Sequence, residues 1–411
     1  MNVPAWLKKI ISHPFFKSSK THIFLWLLIL PVLAMFKDGN NFMIFRGVFW
    51  HTIHKLPLYV AYPAEYDDLN HYGVFFSTII APFSLPPVWQ GMFLWLVALS
   101  AILYFAVKKL PGANTLFIYW FCANELLTAL YMQQFNIAIA ACILFSFLFI
   151  EKEKDSWAAF FIMLGVFVKL YSIVGLAFFF FSKHKTKFIG SLLMWSVVFF
   201  VLPMLISSPS YVLGQYVDWL RVLSEKNDSN MFAIHQNVSL LGMIRKISGI
   251  ATYSDSYIIA VGMVLFALPY LRIKQYANLS FRYFILASVL LFVVLFSTGS
   301  ESSGYITPLI GVAIWYTAAP WKRGKWDLAL LIFVFVITSL SPTDIFPHII
   351  RKTLIKPYAL KALPCTLVWL KLCYELCTRD FSARQLSSVS EAKVTLESTP
   401  FLARFLTGFI R

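Results

Sequence analysis

The sequence predicts an all-α polytopic membrane protein, and its composition and charge pattern lead to that fold class. Of the 411 residues, 59% are hydrophobic and only 13% are charged, which is far too apolar for a soluble domain of this length. Short basic clusters, such as Lys108 with Lys109 and the stretch 321–325, separate the apolar runs. Since spanning helices satisfy their own backbone hydrogen bonds in lipid and basic loops favour the cytoplasm, both observations indicate repeated membrane crossings.

Hydropathy divides the chain into about twelve predicted spans. A cytoplasmic N-terminus places the basic loops and the C-terminus inside, in agreement with the positive-inside rule. The first run lacks a small-residue cleavage site, so we interpret it as an anchor. We expect a membrane domain over residues 1–377 and a cytoplasmic tail over 378–411. The predicted spans are 22–36, 88–107, 114–131, 135–150, 156–168, 170–182, 187–206, 256–271, 279–297, 304–318, 327–341 and 358–376.

Two neighbouring runs, 156–168 and 170–182, are shorter than the roughly 20 residues that a full crossing needs. Two interpretations are open. Either the helices break at membrane depth near Lys169, or the pair forms one span and the topology downstream is inverted.

The first outer loop, residues 36–88, is the region where we expect the chemistry. Residues 42–54 carry apolar and aromatic side chains at helical spacing, which predicts an interfacial helix. The run 72–84 is apolar but short and ends at two prolines, so we predict a second juxtamembrane helix. The loop also concentrates four carboxylates among Tyr, His and Pro residues: Asp38, Glu65, Asp67 and Asp68.

Several function classes are excluded by what the sequence lacks. The net charge of +16 is explained by membrane topology, so we expect membrane lipids as partners and no nucleic acid. The histidines show no metal-ligand spacing, and the cysteines lie in or beside apolar runs. We therefore predict no metal site and no cofactor. The absence of a glycine-rich phosphate loop argues against a nucleotide-sugar donor.

Four stretches, in this order and spacing, resemble the polyprenyl-phosphate-sugar-dependent glycosyltransferases of family 87, members of the C-type membrane superfamily. The first is the acidic loop with the following proline-rich entry to a helix. The second is Gln134-Phe135-Asn136, an apolar helix, a charged turn and a helix that ends in Lys169. The third is the stretch 235–242, and the fourth is the serine-rich turn 297–308.

This resemblance implies a C-type glycosyltransferase fold and inverting hexosyl transfer, with mannose as the implied sugar. The implied donor is a polyprenyl-phosphate sugar, and the acceptor is a lipid or a glycan. The resemblance also implies a bacterial inner (plasma) membrane enzyme whose active site faces the periplasm or exterior.

Sugar transfer to a hydroxyl needs a general base. Many family members have an aspartate at the position of Asn41, but an amide cannot take up a proton at neutral pH. We therefore rank Asp68 first, Glu65 second and Asp67 third. A purely structural role, as a solvated loop carboxylate or a helix cap, also explains each of these residues.

The departing phosphate and the sugar need cations, donors and acceptors. Lys169 is the most informative candidate, because a lysine between apolar helices either lines a polar cavity or extends to the surface. Binding to ordinary lipid headgroups explains Arg46 equally well. Hydrogen bonds within the turn itself explain the polar residues 235–237 equally well. The full set of binding candidates is Arg46, Gln134, Asn136, Lys169, His235, Gln236, Asn237 and Glu301.

Two rival classes share the polytopic, basic and aromatic character. A lipid-linked-sugar flippase or transporter should carry ionisable groups near the bilayer midplane, for which Glu125 is one candidate, and often an internal repeat, which we do not find. An envelope polysaccharide polymerase or ligase should have its main outer loop later in the chain, with arginine-rich phosphate clamps.

Overall fold

The computed structural model describes residues 13–230, 232–233 and 235–382, and this part of the chain is helical, without strands. Besides its α-helices, it contains a 3₁₀-helix, Tyr171–Phe181, and a π-helix, Val334–Leu340, which continues the helix that begins at Lys325. The helices are α1 Ser19–Ala34, α2 Asn40–His54, α3 Phe76–Ser84, α4 Val88–Lys108, α5 Thr115–Tyr131, α6 Asn136–Glu151, α7 Asp155–Lys169, α8 Lys185–Leu205, α9 Pro209–Ser229, α10 Leu240–Ser248, α11 Ser256–Leu271, α12 Leu279–Leu295, α13 Ile306–Thr317, α14 Lys325–Phe333 and α15 Ala362–Thr378.

A helix lies at each predicted span, and the two juxtamembrane helices correspond to α2 and α3. Among the described residues, α4 and α8 are long and apolar enough to cross a membrane by length and composition alone. The apolar helices α1, α6, α11 and α12 are shorter. The all-helical class is therefore confirmed, whereas the twelve crossings stay a prediction. The predicted tail lies outside the described residues from 383 onward.

The centre of the molecule is α6, which is apolar all round and has no lipid-facing stripe. From Asn136 to Ile150 each of its residues is buried. Its neighbours include α4, α7 and α13. In contrast, α8 and α11 expose large apolar side chains, among them Leu193 at 66% and Val261 at 62%. Such contiguous apolar faces are typical of surfaces that contact lipid.

The chain reverses direction after Lys169. Leu170 has a left-handed backbone with φ 58°, which ends α7, and the 3₁₀-helix then runs back along it. Ser172 packs on Gly165, and at the far end the Ser182 hydroxyl donates to Asp155. The pair is thus an antiparallel hairpin with Lys169 at its tip. The single-span interpretation is wrong, because the two helices lie side by side.

An outer layer covers the tip of this hairpin and includes α9, which we did not predict. α9 holds the first outer loop through side-chain donors and acceptors. The Leu58 amide donates to Oε1 of Gln215 at 2.8 Å, and Nε1 of Trp219 donates to the His71 carbonyl at 2.9 Å. The outer loop is therefore fixed over the tip.

The opposite end of the molecule carries the basic turns and several ion pairs. Arg282 binds Glu151 through Nε at 2.6 Å, and Arg323 binds Glu375 through Nη1 at 3.0 Å. Because α6 begins at Asn136 and ends at Glu151, the hairpin tip and these basic turns lie at opposite ends of the same helix.

Candidate active site

Lys169 stands at the tip of the hairpin, inside a polar network. Its Nζ donates a hydrogen bond to Oδ1 of Asn136 at 2.8 Å. Nζ also lies 5.4 Å from the ring centroid of Tyr72 and 5.5 Å from that of Tyr171, within range of cation–π attraction. The ammonium therefore faces an amide and two aromatic rings.

Gln134 and Glu301 meet beside Lys169 although 167 residues separate them. Nε2 of Gln134 donates to Oε2 of Glu301 at 2.7 Å. Nδ2 of Asn136 donates to Oε1 of Gln134 at 2.8 Å and to Oγ of Ser303 at 3.2 Å. Since each amide both donates and accepts, the network fixes the orientation of the Glu301 carboxylate.

Glu301 sits in the turn between α12 and α13, and opposing effects act on its ionisation. Burial raises its pKa. Lys169 and Lys226 lower it, and so do hydrogen bonds from Gln134 and Gln236. The two cations and the hydrogen bonds together outweigh the effect of burial, so the pKa of Glu301 lies below its usual value. Glu301 is accordingly ionised near neutral pH, with two cations around it.

The loop from Asp68 to Tyr72 adds titratable groups next to Lys169. Burial, followed by the charge of Lys226, lowers the pKa of His71 to about 4. Asp68, Lys169 and Glu301 also act on His71, and Asp68 acts on Lys226. These five groups therefore form one electrostatically coupled cluster, in which His71 is neutral near pH 7.

The backbone of this loop docks directly on the hairpin tip. The Gly73 amide donates to the Val168 carbonyl at 3.1 Å. A Cβ at Gly73 would overlap the Phe167 carbonyl oxygen, so only glycine permits this close approach. Asp68 has φ 76°, and the Asn70 side chain bonds the Tyr72 backbone, which shapes the turn before the docking point.

The three ranked carboxylates, Asp68, Glu65 and Asp67, do not share one set of contacts. Glu65 pairs with His51, with 3.1 Å between Oε2 and Nε2. Glu65 and Asp67 line an open outer groove of about 660 Å³ together with Trp89. Of the three, Asp68 alone is coupled to Lys226 and His71 in the described part of the chain.

The remaining predicted binding residues are dispersed. Arg46 is half-buried on α2, its Nη1 lacks a hydrogen-bond partner among the described residues, and no described contact joins it to the Lys169 cluster. His235 lines a separate cavity. Asn237 is buried with φ 51°, and its Oδ1 accepts a hydrogen bond from Ser239. From this turn, Gln236 reaches Glu301.

Sequence reasoning missed Lys226, His71 and Ser303. Lys226 lies on the unpredicted helix α9, where neighbouring charges make it look like a solvated residue. His71 could have been identified as a candidate from its position in the sequence close to the ranked carboxylates. Ser303 belongs to the serine-rich turn of the resemblance, but its individual contacts depend on the fold.

A comparison with protein-family models identifies one family for this chain. The model described as Glycosyltransferase family 87 matches residues 70–298, which include the loop after Asp68, the hairpin and α9. No curated protein matches the chain. Because the matched region is more than half of the sequence, the chain belongs to glycosyltransferase family 87 and is a membrane glycosyltransferase.

Proposed function

We propose that the protein transfers a hexose, mannose by family resemblance, from a polyprenyl-phosphate donor to a lipid or glycan acceptor at the extracytoplasmic face. The observation that carries this proposal is the convergence of Lys169, Lys226, Glu301, His71 and Asp68 at the hairpin tip. Such a cluster holds an anionic leaving group and a general base within one site.

A groove beside the cluster, with apolar side chains along part of its lining and polar ones along the rest, supports a lipid-linked donor. The groove has a volume of about 570 Å³ and is lined partly by Leu170, Ile173 and Phe296. Tyr171 and Val293 line both this groove and a small cavity that contacts Asn136 and Glu301. An isoprenoid chain in the groove would bring its phosphate to Lys169.

Four of these groups, Asp68, Lys169, Lys226 and Glu301, have roles in an inverting displacement. The acceptor hydroxyl oxygen attacks the anomeric carbon from the face opposite the phosphate, and Asp68 takes its proton. The bond between the anomeric carbon and the phosphate oxygen breaks, and polyprenyl phosphate leaves with the electron pair. Lys169 and Lys226 stabilise the charge on this phosphate. Glu301, held by Gln134, accepts hydrogen bonds from sugar hydroxyls.

The positive-inside rule supports the outer location of this site. The basic turn around Lys152 joins the ends of α6 and α7 that are remote from the cluster, and the turn around Lys185 follows the far end of the 3₁₀-helix. Placing those turns in the cytoplasm puts Lys169 and Glu301 on the exterior side of a multi-pass inner-membrane protein. Both chain termini are then cytoplasmic under the twelve-span topology.

The test is transfer by the purified protein with a polyprenyl-phosphate hexose and mixed acceptors. We expect product without any nucleotide sugar. We expect Lys169→Met to lower kcat by roughly 10²–10³, as on removal of an electrostatic stabiliser. Lys187→Met, an exposed lysine at the opposite end, is the matched control. Movement of intact donor lipid across proteoliposomes without sugar transfer would instead support a flippase and overturn the proposal.

A further inference from the structure

We propose that a second, cationic cavity beside the active site binds a phosphate group carried by the acceptor. This inference rests on the proposed function and names the acceptor class, an anionic lipid or glycan. The cavity has a volume of about 70 Å³ and is lined by His235, Arg351 and Lys356, with Lys361 and Ser302 at its inner end. It lies directly across the turn that carries Glu301.

The size of the cavity suits one small polar group. It is several times larger than the ~10–15 Å³ that holds a single water molecule, but it is much smaller than the groove of about 570 Å³. In the described part of the chain, no carboxylate lines this cavity. Val238, Pro342, Ile355 and Ala359 also line it, so most of its surface is apolar and its charge is confined to the basic side chains. A single tetrahedral oxyanion bound by those side chains matches its dimensions.

Lys361 shapes the inner end of the cavity and is itself neutralised. Its Nζ donates to Oε1 of Glu125 at 2.7 Å and to both the carbonyl and the hydroxyl of Ser302 at 2.9 Å. With these acceptors its donors are in use, so Lys361 is a positioning residue that fixes Ser302 next to Glu301. The charge available to a ligand comes from the outer end.

Arg351 and Lys356 are brought together at that outer end by a π-helical turn, Arg351–Ile355. The Lys356 amide donates to the Arg351 carbonyl at 3.0 Å. In an α-helix, residues five apart point about 140° apart, whereas the wider π turn places both on one side. Such turns frequently mark functional sites.

Both cations retain donors for a ligand. Arg351 makes its hydrogen bonds through Nη1, to the carbonyls of Pro342 and Thr343 and to Asp344 at 3.5 Å. Nε and Nη2 thus have no partner among the described residues. Asp344 is fully exposed, so solvent screens its charge. A planar guanidinium fork recognises phosphate through paired hydrogen bonds.

Topology alone does not explain these cations. In the proposed orientation the segment 341–361 faces the exterior, where the positive-inside rule predicts few basic residues. It nevertheless carries Arg351, Lys352 and Lys356. The donor phosphate has its own cations, Lys169 and Lys226, near Glu301. A second phosphate at this position therefore belongs to the other substrate.

The experiment compares two acceptors that differ only in a phosphate monoester, an alkyl hexoside and its phosphorylated counterpart. We expect the wild type to have a KM for the phosphorylated acceptor that is roughly ten- to hundredfold lower, from one or two charge-assisted hydrogen bonds. The double variant Arg351→Gln with Lys356→Gln should abolish this preference without changing the KM for the donor. Lys352→Gln, an exposed neighbour outside the lining, is the matched control.

Equal KM values in the wild type, or a preference that survives in the double variant, would overturn the inference. A binding measurement separates this result from failure of the proposed function. Dioleoyl phosphatidate should raise the unfolding temperature of the wild type and of Lys352→Gln but not of the double variant. If inorganic phosphate raised the unfolding temperature but dioleoyl phosphatidate did not, the cavity would bind free phosphate. The assignment to a phosphate carried by the acceptor would then be overturned. If neither acceptor is glycosylated but the phosphatidate effect holds, the proposed function fails and the phosphate cavity stands.

Discussion

The Gly73 amide donates a hydrogen bond to the Val168 carbonyl, one residue before Lys169. This bond joins the outer loop to the hairpin tip and so determines the position of Asp68 relative to Lys169. The general base and the phosphate-binding cation of the proposed mechanism lie on separate segments. Their spacing therefore depends on a backbone contact between those segments.

Replacing Gly73 should weaken this contact. In Gly73→Ala the new Cβ would overlap the Phe167 carbonyl oxygen, and overpacking of this kind costs about 1–3 kcal/mol of the free energy of unfolding. We expect a lower unfolding temperature and reduced transfer. Gly190→Ala, where a Cβ meets no atom within 4 Å, should leave both unchanged or slightly raise stability. Equal effects of the two substitutions would contradict the role of Gly73.

Asp68 and Glu65 should differ as catalytic bases. Asp68→Asn removes the carboxylate that is coupled to His71 and Lys226, so kcat should fall by roughly 10²–10⁴. Glu65→Gln breaks the pair of the half-exposed Glu65 with the buried His51, away from the Lys169 cluster, and should lower kcat by at most about tenfold. Steady-state kinetics at saturating donor measures both, with Asp218→Asn on α9 as a surface control. Wild-type turnover in Asp68→Asn would remove this residue from the mechanism.

His71 should make stability depend on pH in the acidic range. Its folded-state pKa is about 4 against a usual 6.5, so the unfolded chain binds a proton that the folded chain does not. The contribution of neutral His71 is complete above pH 6.5 and is lost as the pH falls towards 4, by on the order of 3 kcal/mol. Thermal unfolding across this range should show a shallower slope for His71→Gln. An unchanged slope would show that His71 is solvated.

Lys361 and Glu125 form a buried ion pair, so replacing one partner should lower the free energy of unfolding more than replacing both. Glu125→Gln leaves the Lys361 ammonium buried without its carboxylate and should lower the free energy of unfolding by about 3–5 kcal/mol. Adding Lys361→Met removes the unpaired charge and should recover most of that loss. Denaturant unfolding of the wild type, of Glu125→Gln, of Lys361→Met and of the double variant measures the coupling. Additive losses would mean that solvent reaches the pair.

The helices could be predicted because apolar runs carry strong local information. The prediction for α12, 279–297, agrees with Leu279–Leu295, and the interfacial segment 42–54 agrees with α2. α9 was missed because charged residues interrupt its apolar side chains, as in an ordinary outer loop. Hydropathy also could not choose between one span and a hairpin at Lys169, since that choice depends on a single left-handed residue, Leu170.

The site could be predicted only in part, because its contacts are long-range. Lys169 was identifiable from the cost of a lysine between apolar helices, and the glutamine and glutamate of the network were identified separately. Their hydrogen bond joins positions 134 and 301, which no local pattern reveals. Glu65 and Asp68 are three residues apart, yet the loop turns between them and assigns them to different surroundings.

The two helices of the hairpin, α7 and the 3₁₀-helix, differ in their number of residues per turn but have nearly the same length. α7 has 15 residues and covers about 22 Å at 1.5 Å per residue. The 3₁₀-helix has only 11 residues, but its rise of about 2.0 Å per residue gives nearly the same length. The tighter coil thus compensates for four missing residues. An insertion or deletion within α7 alone would make the two lengths unequal, by about 1.5 Å for each residue.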